Sequence, residues 1–279
     1  MKNRVVILGK KGFIAKNLIR FLKKKKIKHL AFSKETLDLC KKNSSKKLQK
    51  FIQPNDQIVF LSTYLPKIKN EIIFKKNILI LKNVVKALEK NKFSQILYVS
   101  SDAVYDENVR IINENTKKRP LSFYGKMHLK RENTLKKHFL DKLCIVRPTM
   151  IFGKNDDKIG YGPDKFLKQI TQLKNIYLFG VGEEKRDHVC IDNVVATIYC
   201  CLINNFRGSL NIASGKVFSF LDIAKECLKK NKKKKIKIKL KPRKKIMPYG
   251  GYREFDIREL KLYMNTKKFV KLKNYISDY

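Results

Sequence analysis

The sequence predicts an α/β protein organised as a doubly wound parallel sheet. Two observations predict it. The stretch Arg4–Ala15, RVVILGKKGFIA, passes from a short apolar run through glycines at positions 9 and 12 into a helical pattern carried by Ile14, Leu18, Ile19 and Leu22. Apolar runs then alternate with helical patterns through the first half of the chain, the order that lays parallel strands side by side with helices on both faces. The 279 residues, 43% hydrophobic, suffice for one large or two interleaved domains with a proper core.

Taken in order, Val5–Leu8 has no polar position, as expected of a strand covered on both faces. Gly9 and Gly12 follow, where a side chain would hold the backbone away from a pyrophosphate favoured at the N-terminus of the next helix. By itself, G-x-x-G-x-x-A also fits an ordinary strand-to-helix turn. A short strand is expected at His29–Phe32, then a polar helix opened by Ser44 or Ser45. A third strand follows at Gln57–Leu61, and a long helical pattern runs through Asn77, Leu81, Val84, Val85 and Leu88. The fourth strand, Gln95–Ser100, runs into Ser101-Asp102-Ala103-Val104-Tyr105. A loop containing Pro120 leads to a helix starting near Tyr124, and Leu143–Val146 forms a fifth strand. Such a sheet binds ligand at the carboxyl ends of its strands, where Gly9, Ser33, Ser62, Ser101 and Arg147-Pro148 fall.

Composition narrows the function. The six cysteines (Cys40, Cys144, Cys190, Cys200, Cys201 and Cys227) show no C-x-x-C or metal-ligand spacing, and most lie in apolar runs as reduced thiols do. A reducing, cytoplasmic setting and no metal site are the expectation. No apolar run approaches the roughly 18 residues needed to span a bilayer, and Val5–Leu8 is too short for a signal-peptide core. The net charge is +41, which raises the question of nucleic acid. The lysines are spread over almost every surface segment, with no zinc finger, helix-turn-helix or stacking platform beside them. In the densest run, Lys229–Lys245, the alternation at Lys235–Lys241 puts Ile236, Ile238 and Leu240 on one face of a strand. A solvated strand face therefore explains these charges, and any nucleic-acid binding is expected to be non-specific and steeply salt-dependent.

Six segments stand in order along the chain: Gly9-x-x-Gly12-x-x-Ala15, Val99-Ser-Ser-Asp-Ala-Val-Tyr105, Tyr124-Gly-Lys, Arg147-Pro-Thr-Met-Ile-Phe-Gly153, Arg186-Asp-His-Val-Cys-Ile-Asp192 and Asn211-Ile-Ala-Ser-Gly215. In order and spacing they resemble the extended short-chain dehydrogenase/reductases, which include nucleotide-sugar epimerases, dehydratases and 4-keto-sugar reductases. The resemblance implies a Rossmann NAD(P)-binding domain of residues 1–153 and 187–215. It also implies a smaller α/β substrate domain of residues 154–186 and 216–279, and a homodimer.

Hydride transfer between a sugar carbon and nicotinamide needs a group that moves the hydroxyl proton in step, and a phenol serves if its pKa is lowered. Tyr124 is the candidate acid/base, with a helix-start packing role as its alternative. By the resemblance, Ser101 would bond the reacting oxygen, with capping of the turn as its alternative and Ser100 as the other hydroxyl for the part, and Asp102 would lie beside the substrate. Gly9, Lys11, Gly12, Phe13 and Ile14 would cradle the dinucleotide. Ser33, Lys34, Leu61, Ser62, Asn77 and Pro148 would complete its site with Tyr124 and His128. Arg186 and Arg253 would meet the nucleotide diphosphate, a geometry that suits guanidinium; a surface ion pair is the alternative for both, and the favoured one for Arg253. The chain departs from the pattern at two places. The lysine expected four residues after the tyrosine is His128, which shares a helix face with Tyr124 but is mostly neutral near pH 7. The Asp-Glu of dehydratases is Asp102-Ala103, which argues against dehydration. Lys34, at the end of the second strand, and Lys11 favour NADP, with NAD as the alternative. The reading is an NAD(P)-dependent nucleotide-sugar epimerase or 4-keto-sugar reductase. Its alternative, raised by His128, is a non-catalytic dinucleotide-binding protein.

Overall fold

A computed structural model of the chain describes residues 3–65, 70–154, 162–230, 235–243 and 246–279. Positions 231–234 and 244–245 of the basic run, and 155–161 of the expected substrate domain, lie outside them. Along the chain come β1 (Val5–Leu8), α1 (Phe13–Lys24), β2 (His29–Phe32), α2 (Ser44–Gln49), β3 (Gln57–Phe60), α3 (Asn70–Leu88) and β4 (Gln95–Val99). After β5 (Ile111–Ile112) come α4 (Phe123–Phe139), β6 (Leu143–Pro148), β7 (Met150–Phe152), α5 (Gly162–Thr171), β8 (Ile176–Phe179) and β9 (Lys185–Cys190). The last part holds α6 (Ile191–Ile203), β10 (Gly208–Ile212), β11 (Val217–Ser219), α7 (Phe220–Lys230), β12 (Ile238–Lys241), β13 (Tyr252–Phe255), α8 (Arg258–Tyr263) and α9 (Leu272–Ser277).

The described chain falls into two compact units. The first comprises Met1–Asp106, Lys117–Arg147 and Val195–Leu210. Its sheet has the order β10-β6-β4-β3-β1-β2, and the pairs from β2 to β6 are parallel. The apolar run Val5–Leu8 is buried at every position because it sits between two strands, with Val6 beside Leu30 on β2 and Ile58 on β3. Strand periodicity sends Val6, Leu8, Ile58, Phe60, Ile96, Tyr98 and Ile145 into one cluster, where they meet Leu81, Val84, Val85 and Leu88 of α3 and Leu135 of α4. Each such aliphatic side chain contributes about 1.5–3 kcal/mol by leaving water.

The second unit comprises Glu107–Thr116, Pro148–Val194 and Asn211–Tyr279. In it β11, β9, β13 and β5 form one path, with β7 also paired to β9, and β8 pairs with β12 in a separate parallel ribbon. Segment by segment, this division differs from the boundaries implied by the resemblance. Residues 107–116 join the second unit because Ile111 and Ile112 pair with Glu254 and Phe255 of β13. The expected strand face at Ile236, Ile238 and Leu240 is also not formed as such. β12 begins only at Ile238, and Leu240 is 55% exposed, because the ribbon has one neighbouring strand rather than a sheet to pack on. No helix among the described residues is long and apolar enough to cross a membrane.

Candidate active site

The turn after β1 is shaped by two glycines with different reasons. Gly9 has φ +111°, and a Cβ there would lie 2.9 Å from the Ser62 nitrogen, so the turn can sit against the end of β3 only as glycine. Gly9 N and Lys10 N donate to Phe32 O at 3.0 and 2.8 Å, which ties the turn to the end of β2. At Gly12 a Cβ would meet only Gly9 O, at 3.5 Å. Among the described residues the chain's own packing therefore leaves space in front of the N-terminus of α1, whose first turn carries no acidic residue and whose N-cap, Gly12, has no side chain. Such a cradle fits a pyrophosphate. Phe13 and Ile14 open α1 half-buried, and Lys11 is exposed.

At the end of β2, Ser33 is buried and holds a tight turn, its N–H donating to Thr36 Oγ1 at 3.0 Å, while Lys34 is exposed. Sequence reading passed over Glu35 here. Lys11 Nζ lies 2.7 Å from Glu35 Oε1, and this hydrogen bond holds the Glu35 carboxyl down to about 2. Leu61 and Ser62 follow β3, half-buried, with Leu61 N donating to Leu8 O. Asn77 is buried and its amide is fully engaged inside the chain. It accepts from Tyr64 N at 2.9 Å and from Arg131 Nη2 at 2.9 Å, and donates to Tyr64 O and Ile73 O at 2.8 Å each. With all four of its positions taken, Asn77 shapes the loop after β3 rather than offering a free amide.

The carboxyl end of β4 carries the hydroxyls. Ser101 caps the turn Asp102–Val104, its Oγ accepting from Ala103 N at 3.2 Å and donating to Asp102 Oδ1 at 3.3 Å. Ser100, also buried, has an Oγ without a hydrogen-bond partner among the described residues. The first turn of α4 presses onto this segment. A Cβ at Gly125 would fall 2.1 Å from Ala103 O and 2.6 Å from Pro120 Cβ, so glycine alone allows the approach. Ser122 caps α4 by accepting from Gly125 N at 3.1 Å, which starts the helix one residue before Tyr124.

Tyr124 is 39% exposed, and its ring meets His128 edge-on, centroids 4.6 Å apart at 71°. Lys126 turns instead over Phe123. His128 is 2% exposed; its Nδ1 is 2.7 Å from the Tyr98 hydroxyl, and its Nε2 has no hydrogen-bond partner among the described residues. Burial, reinforced by the charge of Arg131, pushes the imidazole down to about 3 and keeps it neutral. Neither Tyr98 nor Arg131 was singled out from sequence. Arg131 is buried, donates to Ser62 O (2.8 Å) and Asn77 O (2.8 Å), and lies over the Phe60 ring. Behind it, Arg147 forms a fully buried two-armed pair with Glu132 at 2.8 and 2.7 Å and donates to the Tyr105 hydroxyl at 2.9 Å. That pair places Arg147 inside β6 as a structural residue, with Pro148 the strand's last residue.

In the second unit, Arg186 and Arg253 are register partners on β9 and β13. Their guanidinium carbons lie 4.3 and 3.9 Å from the Tyr249 ring centroid. Arg253 is 0% exposed, so the surface ion pair favoured from sequence is not what forms; β13 is an interior strand and carries the side chain inward. Arg186 is buried beside Glu184 at 3.3 Å. Two cations gathered at one aromatic ring make a concentrated positive site.

The parallel sheet and its glycine turn define a Rossmann-type α/β protein. The chain belongs to the NAD-dependent epimerase/dehydratase family, whose sequence profile matches residues 5–213. It is 31% identical over 147 residues to an N-acetyl-alpha-D-glucosaminyl-diphospho-ditrans,octacis-undecaprenol 4-epimerase of Escherichia coli O157:H7, a match covering 50% of this chain and 41% of that protein. The matched stretch thus spans less than half of that relative. Among solved structures, the UDP-glucose 4-epimerase of Thermus thermophilus in complex with NAD is similar with a TM-score of 0.83 at 17% identity, covering 98% of this chain and 96% of that one. RMD from Pseudomonas aeruginosa complexed with NADPH gives 0.84 at 18% identity, covering 99% and 97%. At these identities the two structures speak for the fold alone.

Proposed function

We propose that the chain is an NAD(P)-dependent nucleotide-sugar epimerase or 4-keto-sugar reductase in which Tyr124 is the acid/base. The observation that carries this reading is the pairing at the start of α4: a partly exposed tyrosine set edge-on to a buried histidine whose Nε2 has no partner among the described residues. When bound, the nicotinamide donates or accepts the hydride. Gly9 and Gly12 give the pyrophosphate access to backbone N–H groups at the start of α1, flanked by Lys11, Phe13 and Ile14. Tyr124 takes the sugar hydroxyl's proton or returns it. Ser101, with Asp102 beside it, orients the reacting oxygen, and Ser100 is a second hydroxyl available at the same strand end. His128 supplies a hydrogen bond in place of the missing lysine, without its charge. Arg186 and Arg253 hold the diphosphate of the substrate.

NADP is the cofactor favoured, through Lys11 and Lys34, and Glu35 is the group that opposes a 2′-phosphate there. The six cysteines, present as thiols, accord with the reducing cytoplasm, and a homodimer is the assembly proposed. Incubation of the purified chain and cofactor with a panel of UDP-, dTDP- and GDP-sugars, with product analysis, tests the reading. Conversion of at least one sugar is expected. If the chain binds dinucleotide and converts none, the non-catalytic reading, favoured by the neutral His128, takes its place.

A further inference from the structure

The geometry points to Tyr98 and Arg131 as positioning residues that lock His128 in one tautomer, with Nδ1 bare and Nε2 carrying the proton, so that the site presents a fixed N–H donor to a ribose hydroxyl of the dinucleotide. This assignment rests on the dinucleotide reading above and adds to it two residues that no motif includes.

Arg131 is the most constrained group of the three. It has only donors, and its guanidinium is held in place by Ser62 O and by the carbonyl and side-chain oxygens of Asn77, at 2.8, 2.8 and 2.9 Å. Its partners are neutral oxygens, so its charge is not cancelled by a carboxylate. That charge faces the Tyr98 phenol and opposes the rise in its pKa caused by burial. A phenol beside a fixed cation turns its oxygen lone pairs toward the cation and its hydrogen away. The group on the other side, 2.7 Å from the Tyr98 oxygen, is His128 Nδ1. Tyr98 therefore donates and Nδ1 accepts. A second proton on the ring is opposed by burial and by Arg131, which hold the imidazole at about 3, so the one ring proton is on Nε2. Nε2 is the buried polar atom of His128 without a partner among the described residues, on the ring that Tyr124 meets edge-on. A buried N–H left unsatisfied is unfavourable until a ligand oxygen meets it, which makes it selective for an acceptor. The lysine it replaces would donate whatever its surroundings; a histidine donates there only if its other nitrogen is kept bare, and this is what Tyr98 and Arg131 provide.

The test reads the tautomer first and binding second. Long-range 15N–1H correlation spectra of the cofactor-free protein at neutral pH are expected to show His128 with a pyridine-type Nδ1 and a pyrrole-type Nε2. Tyr98→Phe, which removes one oxygen and keeps the ring, is expected to mix the tautomers and to weaken binding of NADPH or NADH about five- to ten-fold, the scale of one lost hydrogen bond. Arg131→Lys, which keeps the charge, is expected to retain the parent tautomer. A protonated Nδ1 in the parent, or a Tyr98→Phe spectrum unchanged at His128, overturns the lock. A changed tautomer with unchanged dinucleotide affinity overturns the assignment of its ligand. A parent that binds no dinucleotide overturns that assignment together with the proposed function, while the tautomer, read without ligand, reports separately on the lock.

Discussion

His128 stands where a lysine would give both a hydrogen bond and a positive charge, and its surroundings allow it only the first. Held at about 3 by burial and Arg131, it stays neutral throughout the working range, so it adds no titration step of its own between pH 5 and 9. Turnover should then rise toward alkaline pH as Tyr124 loses its proton. His128→Lys is expected to move the pH–rate profile to lower pH, because a close cation lowers a phenol's pKa by about one to three units. The same variant should lose stability, since it places a second cation near Arg131. A profile that does not move would break the Tyr124–His128 pairing. Glu35 is the other residue-scale lever. Glu35→Gln removes the carboxylate that engages Lys11, and the NADPH-to-NADH affinity ratio should rise about two- to five-fold, the range of a single exposed charge contact; titration of both cofactors measures it, and an unchanged ratio would exclude Lys11 and Glu35 from cofactor choice. At this scale the sequence was only partly legible. Tyr124, His128 and the glycines announce themselves by spacing. Arg131 lies three residues beyond His128 on the same helical stripe, yet it is one basic residue among 65 and nothing marks it as buried.

The elements that carry the site depend on close backbone approach. The first turn of α4 touches the segment after β4 at Gly125, where a Cβ would be 2.1 Å from Ala103 O, a backbone atom that cannot swing away. Gly125→Ala should cost about 1–3 kcal/mol by overpacking and should also move Tyr124 relative to Ser101. Urea denaturation and turnover measure the two effects; a variant with parent stability would show that the contact is not made in solution. Strands β1 to β4 were legible because each is a short, largely apolar run bounded by turn signals. β5 was not, since two isoleucines inside a polar loop have no periodicity and pair with β13 far along the chain. Nor was the inward course of Arg253, because a charged residue reads as exposed until a strand on each side covers it.

For the whole molecule, two buried neutral histidines contribute to the response to acid. His188, in the second unit, is held at about 4 by burial, its Nδ1 against Arg186 O at 3.0 Å and its ring against Phe220. Below its ordinary value of 6.5 the unfolded chain takes up a proton that the folded ring refuses, so this contribution is complete above pH 6.5 and is lost as pH falls toward 4. His188→Phe should flatten the fall of stability over that window by about 1.4 kcal/mol per pH unit, read from urea midpoints across the range. An identical slope in parent and variant would mean that the ring takes up its proton over the same pH range folded as unfolded. The central claim, that this chain moves a hydride with Tyr124 handling the proton, is tested most directly by mixing the cofactor-loaded protein with the sugar it converts and following the nicotinamide absorbance, in parent and in Tyr124→Phe. The account predicts a change of redox state in the parent and none in the variant, with the variant still binding the dinucleotide. Full-rate hydride transfer in Tyr124→Phe would contradict it.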